Sequence, residues 1–364
     1  MKYIGEYRKK ALVAEIAHEI AAKLDRPVTL MEVCGTHTMA IHRHGIIGIL
    51  PTQLKLLSGP GCPVCVTPTG FIDAAIELSR RYDVILTTFG DLVRVPGSSS
   101  SLERRKAEGA HVATVYSPLD ALVLAREHPD KHIVFLGIGF ETTGPTIAAS
   151  IREAAHDGIE NFSVLAGNRL VPPALRALLE DKEVRIDGFI CPGHVSTVIG
   201  ARAYEPIVEE FGVPCVVAGF EPVDILGAIS WLVEMIMKGS PQVRNAYARV
   251  VTWNGNPAAM KCMYDVFEVE DSNWRGLGTI PASGLRVKDK YGGFDGATRF
   301  DMVIEEVPDT PGCRCGDVLR GAIEPSECAL FASECTPEHP IGPCMVSSEG
   351  TCAAHYRYRP RCKV

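Results

Sequence analysis

The sequence predicts an α/β protein, with two parallel-sheet βαβ domains followed by a third, irregular, cysteine-rich domain. Three observations predict it. Short apolar runs alternate with amphipathic segments up to about residue 238. A stretch dense in Gly, Asn, Asp and Pro follows, as in NGNP (254–257) and KYGGFDG (290–296). Seven of the 13 cysteines then fall in the last 52 residues.

Length and composition set the frame. A chain of 364 residues has room for two or three domains. With 46% hydrophobic and 22% charged residues, it has the composition of a folded protein. A net charge of −7 and a pI near 5.9 argue against a basic nucleic-acid-binding surface.

The elements follow in order. Leu12, Val13, Ile16, Ile20 and Leu24 share one helical face over 6–25, and Pro27 ends that helix. VTLMEV (28–33) reads as a buried strand. A helix over 69–82 leads into the strand DVILTT (83–88). SSSSLERRKAEG (98–109) is a polar excursion, an exposed loop and the start of a helix. HVATVY (111–116) precedes a helix over 118–127, and HIVFLG (132–137) is a further apolar strand. After GIGFETTGP come a helix near 145–156, the strand FSVLAG (162–167) and a helix opened by Pro172 and Pro173. GFICPG (188–193), VPCVVAG (213–219) and a long helix over 222–238 complete the series. The expected domains are 1–125, 126–238 and 239–364. No internal repeat is visible.

The cysteine count bears on compartment. An odd number leaves a thiol unpaired in any all-disulfide scheme. The charged N-terminal segment lacks the pattern of a signal peptide, and no apolar run is long enough to span a membrane. A soluble, cytoplasmic protein whose thiols serve metal or redox chemistry is expected.

The tail spacing is Cys313-x-Cys315-x12-Cys328-x6-Cys335-x8-Cys344-x7-Cys352. Soft thiolate ligands select zinc, Cu(I) or iron–sulfur centres. The intervals are too long for a zinc ribbon, which favours an iron–sulfur domain; buried structural thiols are the alternative.

At the front, Cys34 follows a strand and precedes a helix start, where backbone N–H groups favour the thiolate. Cys62 and Cys65 form a C-x2-C pair of the dithiol/disulfide type, with Gly59 and Gly61 permitting a tight loop. The same spacing builds half a zinc site. Ligand sites in open α/β sheets lie at such strand ends. Glu141 and His194 sit in Gly-containing loops after strands and are candidate acid/base or ligand groups. His37, His42 and His44 crowd near Cys34; the last two read as surface residues of the following helix. Gly137, Gly139 and Gly144 match a dinucleotide fingerprint poorly. Cys191, Cys215 and Cys262 read as structural thiols, and Cys362 has no assigned role.

The blocks MEVCGTHT (31–38), GPGCPVCVTP (59–68), GFETTGPT (139–146), CPGHVS (191–196) and CTPEHPIGPCMVSSEGTCAAHYRY (335–358) resemble the HypD family of hydrogenase maturation proteins. The resemblance runs through essentially the whole chain. It implies a cytoplasmic scaffold for assembling the Fe(CN)2CO unit of nickel–iron hydrogenases, working with the chaperone HypC. Cyanide would come from HypE, charged upstream by HypF. It implies Cys34 as the iron-holding thiolate, shared with a HypC cysteine, and Cys62/Cys65 as a redox pair beside it. It also implies a 4Fe-4S cluster on Cys313, Cys328, Cys335 and Cys352, with Cys315 and Cys344 as competing candidates for the Cys313 place. Glu141 and His194 lie within family motifs and are expected to line the cleft. An iron–sulfur-dependent thiol/disulfide oxidoreductase uses the same cysteines without an iron cargo, and a zinc-stabilised binding protein needs only the tail.

Overall fold

The computed structural model describes residues 6–358, so Cys362 lies outside the described residues. The described strands are β1 (Val28–Glu32), β2 (Leu54–Ser58), β3 (Val84–Thr88), β4 (Val112–Thr114), β5 (His132–Gly139) and β6 (Phe162–Asn168). They continue with β7 (Gly188–Pro192), β8 (Cys215–Ala218), β9 (Val243–Asn245), β10 (Phe267–Trp274) and β11 (Gly278–Val287).

Two sheets parallel throughout and one antiparallel pair, β10–β11, result. The first has the order β2-β1-β7-β8-β9 and the second β4-β3-β5-β6. Their central strands are buried on both faces, as helical crossovers require. Every residue of β3, β5, β7 and β8 is buried. The first sheet packs Leu30, Ile190 and Val216 under the helix Pro222–Lys238, which Ile20 of the helix Lys10–Lys23 also meets. In the second, Ile133, Phe135 and Val164 pack against Ile147 and Ile151 of the helix Gly144–Asp157.

The expected α/β class with two parallel-sheet units is present. The division of the chain between them differs from 1–125 and 126–238. β1 and β2 pair with β7–β9, more than 120 residues further along, while β3 and β4 join β5 and β6. The first sheet is therefore built from two separate stretches of chain, and the second from the single stretch that lies between them. The crossings fall between β2 and β3 and between β6 and β7, and residue 125 lies inside the second lobe. Alternating βα pattern reports local periodicity, which is indifferent to which sheet a strand enters.

The stretch 253–296, expected to be irregular and to open a third domain, is ordered and belongs to the second lobe. A helix Pro257–Val266 packs on the helix Gly144–Asp157, and the antiparallel pair β10–β11 lies against β6. Among the described residues, the tail after residue 302 carries only short helices, at Cys315–Arg320, Pro325–Glu327, Pro343–Val346 and Thr351–Tyr358. It folds back across the first lobe: Thr351–Tyr358 packs on Gly35–Arg43, and Pro343–Val346 on the Cys62/Cys65 turn. Among the described residues, no helix is long and apolar enough to cross a membrane.

Candidate functional site

The carboxyl ends of β1, β2, β7 and β8 deliver the chain to one edge of the first sheet, with β1 and β7 adjacent in its middle. The chain leaves β1 for β2 on one side, and β7 returns on the other. That makes a crevice of the kind that holds ligands in open α/β sheets. Cys34 follows β1, Cys62 and Cys65 follow β2, His194 follows β7 and Phe220 follows β8.

Cys34 is the N-cap of the helix Gly35–Arg43 and is buried. The backbone N–H groups of His37 and Thr36 point at its sulfur, as a helix start predicts. They do not prevail. Burial pushes the Cys34 thiol up to about 12, with the Glu349 and Glu32 carboxylates adding to the effect, so the thiol is neutral at physiological pH. The expected thiolate is corrected on this point: the helix start is there, but the low-dielectric pocket and two acids outweigh it.

Glu32 lies beneath this turn, fully buried, accepting from the Cys34 N–H at 2.9 Å and from the Thr38 hydroxyl. Burial raises its carboxyl to about 7 despite those bonds. Its neighbour His37 donates Nε2–H to the Gly219 carbonyl at 2.9 Å, while its buried Nδ1 has no partner. Burial lowers His37 to about 4, so the ring is neutral. The Phe220 ring touches both His37 and His194, with centroids 4.8 and 4.2 Å away. Burial lowers the His194 pKa as well, and Glu349 opposes that shift. His194 thus reaches the Cys34 crevice. His42 is half-buried against His355 rather than a plain surface residue.

Cys62 and Cys65 are joined in a disulfide, Cα atoms 5.2 Å apart, on the single turn Pro63–Val66. Gly61 sets that turn against Cys34: its carbonyl accepts the Gly35 N–H at 2.8 Å. A Cβ at Gly61 would fall on the Cys34 backbone. The two thiol loops are in backbone contact because position 61 carries no side chain.

The tail completes the crevice. Glu349 accepts from the Thr36 hydroxyl at 2.6 Å, and Ser347 donates to Asp91 of the second lobe at 2.7 Å. One segment of the tail therefore ties both lobes together over Cys34. Behind it, Cys313, Cys315, Cys328, Cys335 and Cys352 line one small cavity with Val318, Leu330, Phe331 and Met345. Cys315 lies within hydrogen-bonding reach of Cys313, Cys344 and Cys352. Cys344 is fully buried behind that group. All six tail thiols of the described residues therefore belong to one assembly. The four expected cluster ligands line the cavity, and Cys315 lies among them. Among the described residues, no three Cys, His or carboxylate groups converge as ligands of a single metal ion.

Gly342 and Pro343 separate the tail thiols from the disulfide. A Cβ at Gly342 would lie 2.5 Å from the sulfurs of both Cys313 and Cys315, and the next carbonyl, Pro343, is 3.9 Å from the Cys65 sulfur. One dipeptide spans the gap, which bounds the sulfur-to-sulfur distance at about 14 Å.

Glu141 is fully buried: Oε1 accepts from the Val171 N–H at 2.9 Å and Oε2 has no partner. Burial raises its carboxyl to about 7. It supports the start of the helix Val171–Glu180. The cleft beside it, between the lobes, is lined by Pro63, Val64, Phe89, Asp91, Ile138 and Glu349, among others, and Glu141 is not in that lining. Cys191 and Cys215 are buried within the first sheet, and Cys262 lies against the Pro145 carbonyl.

Sequence reasoning missed Glu32, Thr36 and Glu349. A carboxylate inside the apolar run VTLMEV, two residues before Cys34, was a usable signal for Glu32. Glu349 had none, since its partner lies 313 residues away.

Fold and site define a class: a two-lobed α/β protein with a thiol and a disulfide at the strand ends of one sheet and a cysteine-rich tail closing over them. The profile of the HypD family, described as "Hydrogenase formation hypA family", matches residues 8–359. The hydrogenase maturation factor HypD of Cupriavidus necator is 48% identical over 369 residues, covering 98% of this chain and 97% of that protein. HypD of Rhizobium leguminosarum bv. viciae is 48% identical over 368 residues (98% and 96%), and HypD of Escherichia coli 44% over 367 (99% and 98%). The chain belongs to the HypD family of hydrogenase maturation factors.

Proposed function

We propose that the chain is the cytoplasmic scaffold on which an iron ion is held at Cys34 while its cyanide and carbonyl ligands are added to make the Fe(CN)2CO unit. A HypC-type chaperone supplies a second thiolate, and a HypE-type protein, itself charged by HypF, delivers cyanide. The observation that carries this reading is the closure of the tail over Cys34 through Glu349 and Thr36. It joins a buried soft ligand, a redox-competent disulfide and a nest of thiols in one crevice.

The residues suit such a cargo. By themselves Glu32 and Glu349 oppose ionisation of Cys34; beside a divalent iron their charges become favourable. Binding then expels the thiol proton, which makes capture pH-dependent. Burial of Cys34 and of the neutral His37 keeps water and competing hard metals away from the iron.

The tail thiols fit a resident 4Fe-4S cluster on Cys313, Cys328, Cys335 and Cys352. Sulfur donors ring an apolar cavity rather than meeting at a point, and no carboxylate or histidine lines it. When bound, such a group supplies single electrons. Opening the Cys62–Cys65 disulfide takes two electrons and two protons and yields two thiols, so two such deliveries are needed. Gly342 and Pro343 would lie between such a group and the Cys65 sulfur.

Anaerobic co-purification with the HypC-type partner, followed by infrared spectroscopy in the cyanide and carbonyl stretching window, tests the reading. Bands that vanish in Cys34→Ala support it. Their absence from the intact complex, with turnover of disulfide substrates, favours the oxidoreductase alternative instead.

A further inference from the structure

The turn between β10 and β11 is wedged between the two thiol centres. On one side the Arg275 N–H donates to the Val66 carbonyl at 2.9 Å, and its Nε–H to the Thr67 carbonyl at 3.0 Å, directly after the Cys62/Cys65 turn. On the other, Gly276 packs so closely on Gly316 that a Cβ at position 276 would fall on the backbone beside Cys315. The Arg275 side chain is 3% exposed. One guanidinium nitrogen pairs with Asp309, which is a third exposed, while the other terminal nitrogen is buried without a partner.

A buried guanidinium nitrogen left unpaired is costly. It persists where a negative charge or a soft acceptor is brought near it. The tail thiols are at hand: Gly276, the next residue, packs on Gly316, which directly follows Cys315. Arg314, at the same cavity, is half exposed and neutralised by Asp317, so it is a weak source of field. Arg320 is shared among Asp181, Glu183 and Asp317.

We infer that Arg275 is a positioning residue that holds a fixed positive charge between the Cys62–Cys65 turn and the tail thiols, and that this charge sets the potential at which the tail sulfur site accepts an electron. A cation beside the site stabilises the reduced form, which carries one more negative charge. Hydrogen bonds and net charge near the sulfurs are the ordinary levers on such potentials. Asp309 is the counterweight, since it cancels part of the guanidinium charge from the solvent side. The inference rests on the reading that the tail thiols hold an iron–sulfur centre.

The test is an anaerobic redox titration of the full chain, reconstituted with iron and sulfide and followed by electron paramagnetic resonance and visible absorption. Arg275→Gln is expected to lower the midpoint potential by at least a tenfold change in the one-electron equilibrium, about 59 mV. Arg275→Lys keeps the charge and stays near wild type. Asp309→Asn leaves the guanidinium in place, unmasks its charge and moves the potential the opposite way. If R275Q fails to load iron, R275K and D309N still decide. Equal shifts in R275Q and R275K, or a D309N potential unchanged from wild type, overturn the inference. A wild-type chain that binds no iron at all fails the earlier reading, and this one with it.

Discussion

The Thr36 hydroxyl donates to Glu349 at 2.6 Å, across 313 residues of sequence. This bond brings the C-terminal tail onto the first turn of the helix that Cys34 caps, and it makes the crevice a joint product of both ends of the chain. Gly35 permits the approach, because a Cβ there would stand 2.5 Å from the Glu349 Cβ and 2.8 Å from its carbonyl oxygen.

Glu349→Gln keeps an acceptor for Thr36 and removes a negative charge. The Cys34 thiol, held up by burial first and by Glu349 and Glu32 besides, becomes more acidic. Its alkylation at pH 8–9 is expected to quicken several-fold, as read by mass spectrometry of the Cys34 peptide. Gly35→Ala instead pries the tail away, and urea denaturation is expected to show a loss of about 1–3 kcal/mol.

Gly61→Ala tests the contact between the two front thiol loops. The added methyl meets backbone rather than a movable side chain, so the loops must separate. A loss of about 1–3 kcal/mol is expected. It should be accompanied by faster reduction of the Cys62–Cys65 disulfide by external thiols as the turn becomes accessible. Stability and reduction rate both equal to wild type would show the loops to be independent.

Gly342→Ala places a methyl 2.5 Å from the sulfurs of Cys313 and Cys315. The α/β lobes lie outside its reach, so far-ultraviolet circular dichroism is expected to stay unchanged. Iron bound per chain after anaerobic reconstitution falls by half or more. Full iron content in this variant would remove Cys313 and Cys315 from the neighbourhood of the bound group.

Glu141 gives a pH signature. Burial raises its folded-state pKa to about 7 against an unfolded value near 4.5, so the native state holds the proton that the unfolded state has lost. Its contribution is fully favourable below about pH 4.5, declines as pH rises toward 7, and is flat beyond. Glu141→Gln removes that dependence while preserving an acceptor for the Val171 N–H. The variant's stability relative to wild type is expected to rise by about 2–3 kcal/mol from pH 4.5 to 7.5, at ~1.4 kcal/mol per unit of pKa shift. Urea titrations at several pH values measure it; a constant difference contradicts the ionisation assigned to Glu141.

The strands most legible in the sequence are those buried on both faces. β5 and β8 are uninterrupted apolar runs in a parallel sheet and appear where the pattern placed them. β2 was not expected, because it is an edge strand whose Lys55 faces solvent. The β10–β11 pair was hidden by its polar face, with Glu268, Glu270 and Asp271 among its residues, and by its glycines. The return of β7–β9 to the sheet of β1 and β2 left no local trace, since register with a distant strand is a tertiary property. At the site, thiol spacing marked Cys34, Cys62, Cys65 and the tail group. Glu349, which adds to the rise of the Cys34 pKa, was not marked, because it becomes a neighbour of Cys34 only through the folding of the tail.

The central claim is that the tail thiols and the Cys62–Cys65 disulfide form one connected redox path opening onto Cys34. It is tested most directly by loading the anaerobic chain with iron and sulfide, adding reducing equivalents stepwise, and quantifying the disulfide by thiol trapping and mass spectrometry at each step. The account predicts that two equivalents per chain open the Cys62–Cys65 disulfide with no external thiol present, and that Cys352→Ser abolishes this at equal reductant. A centre that stays reduced beside an intact disulfide would contradict it.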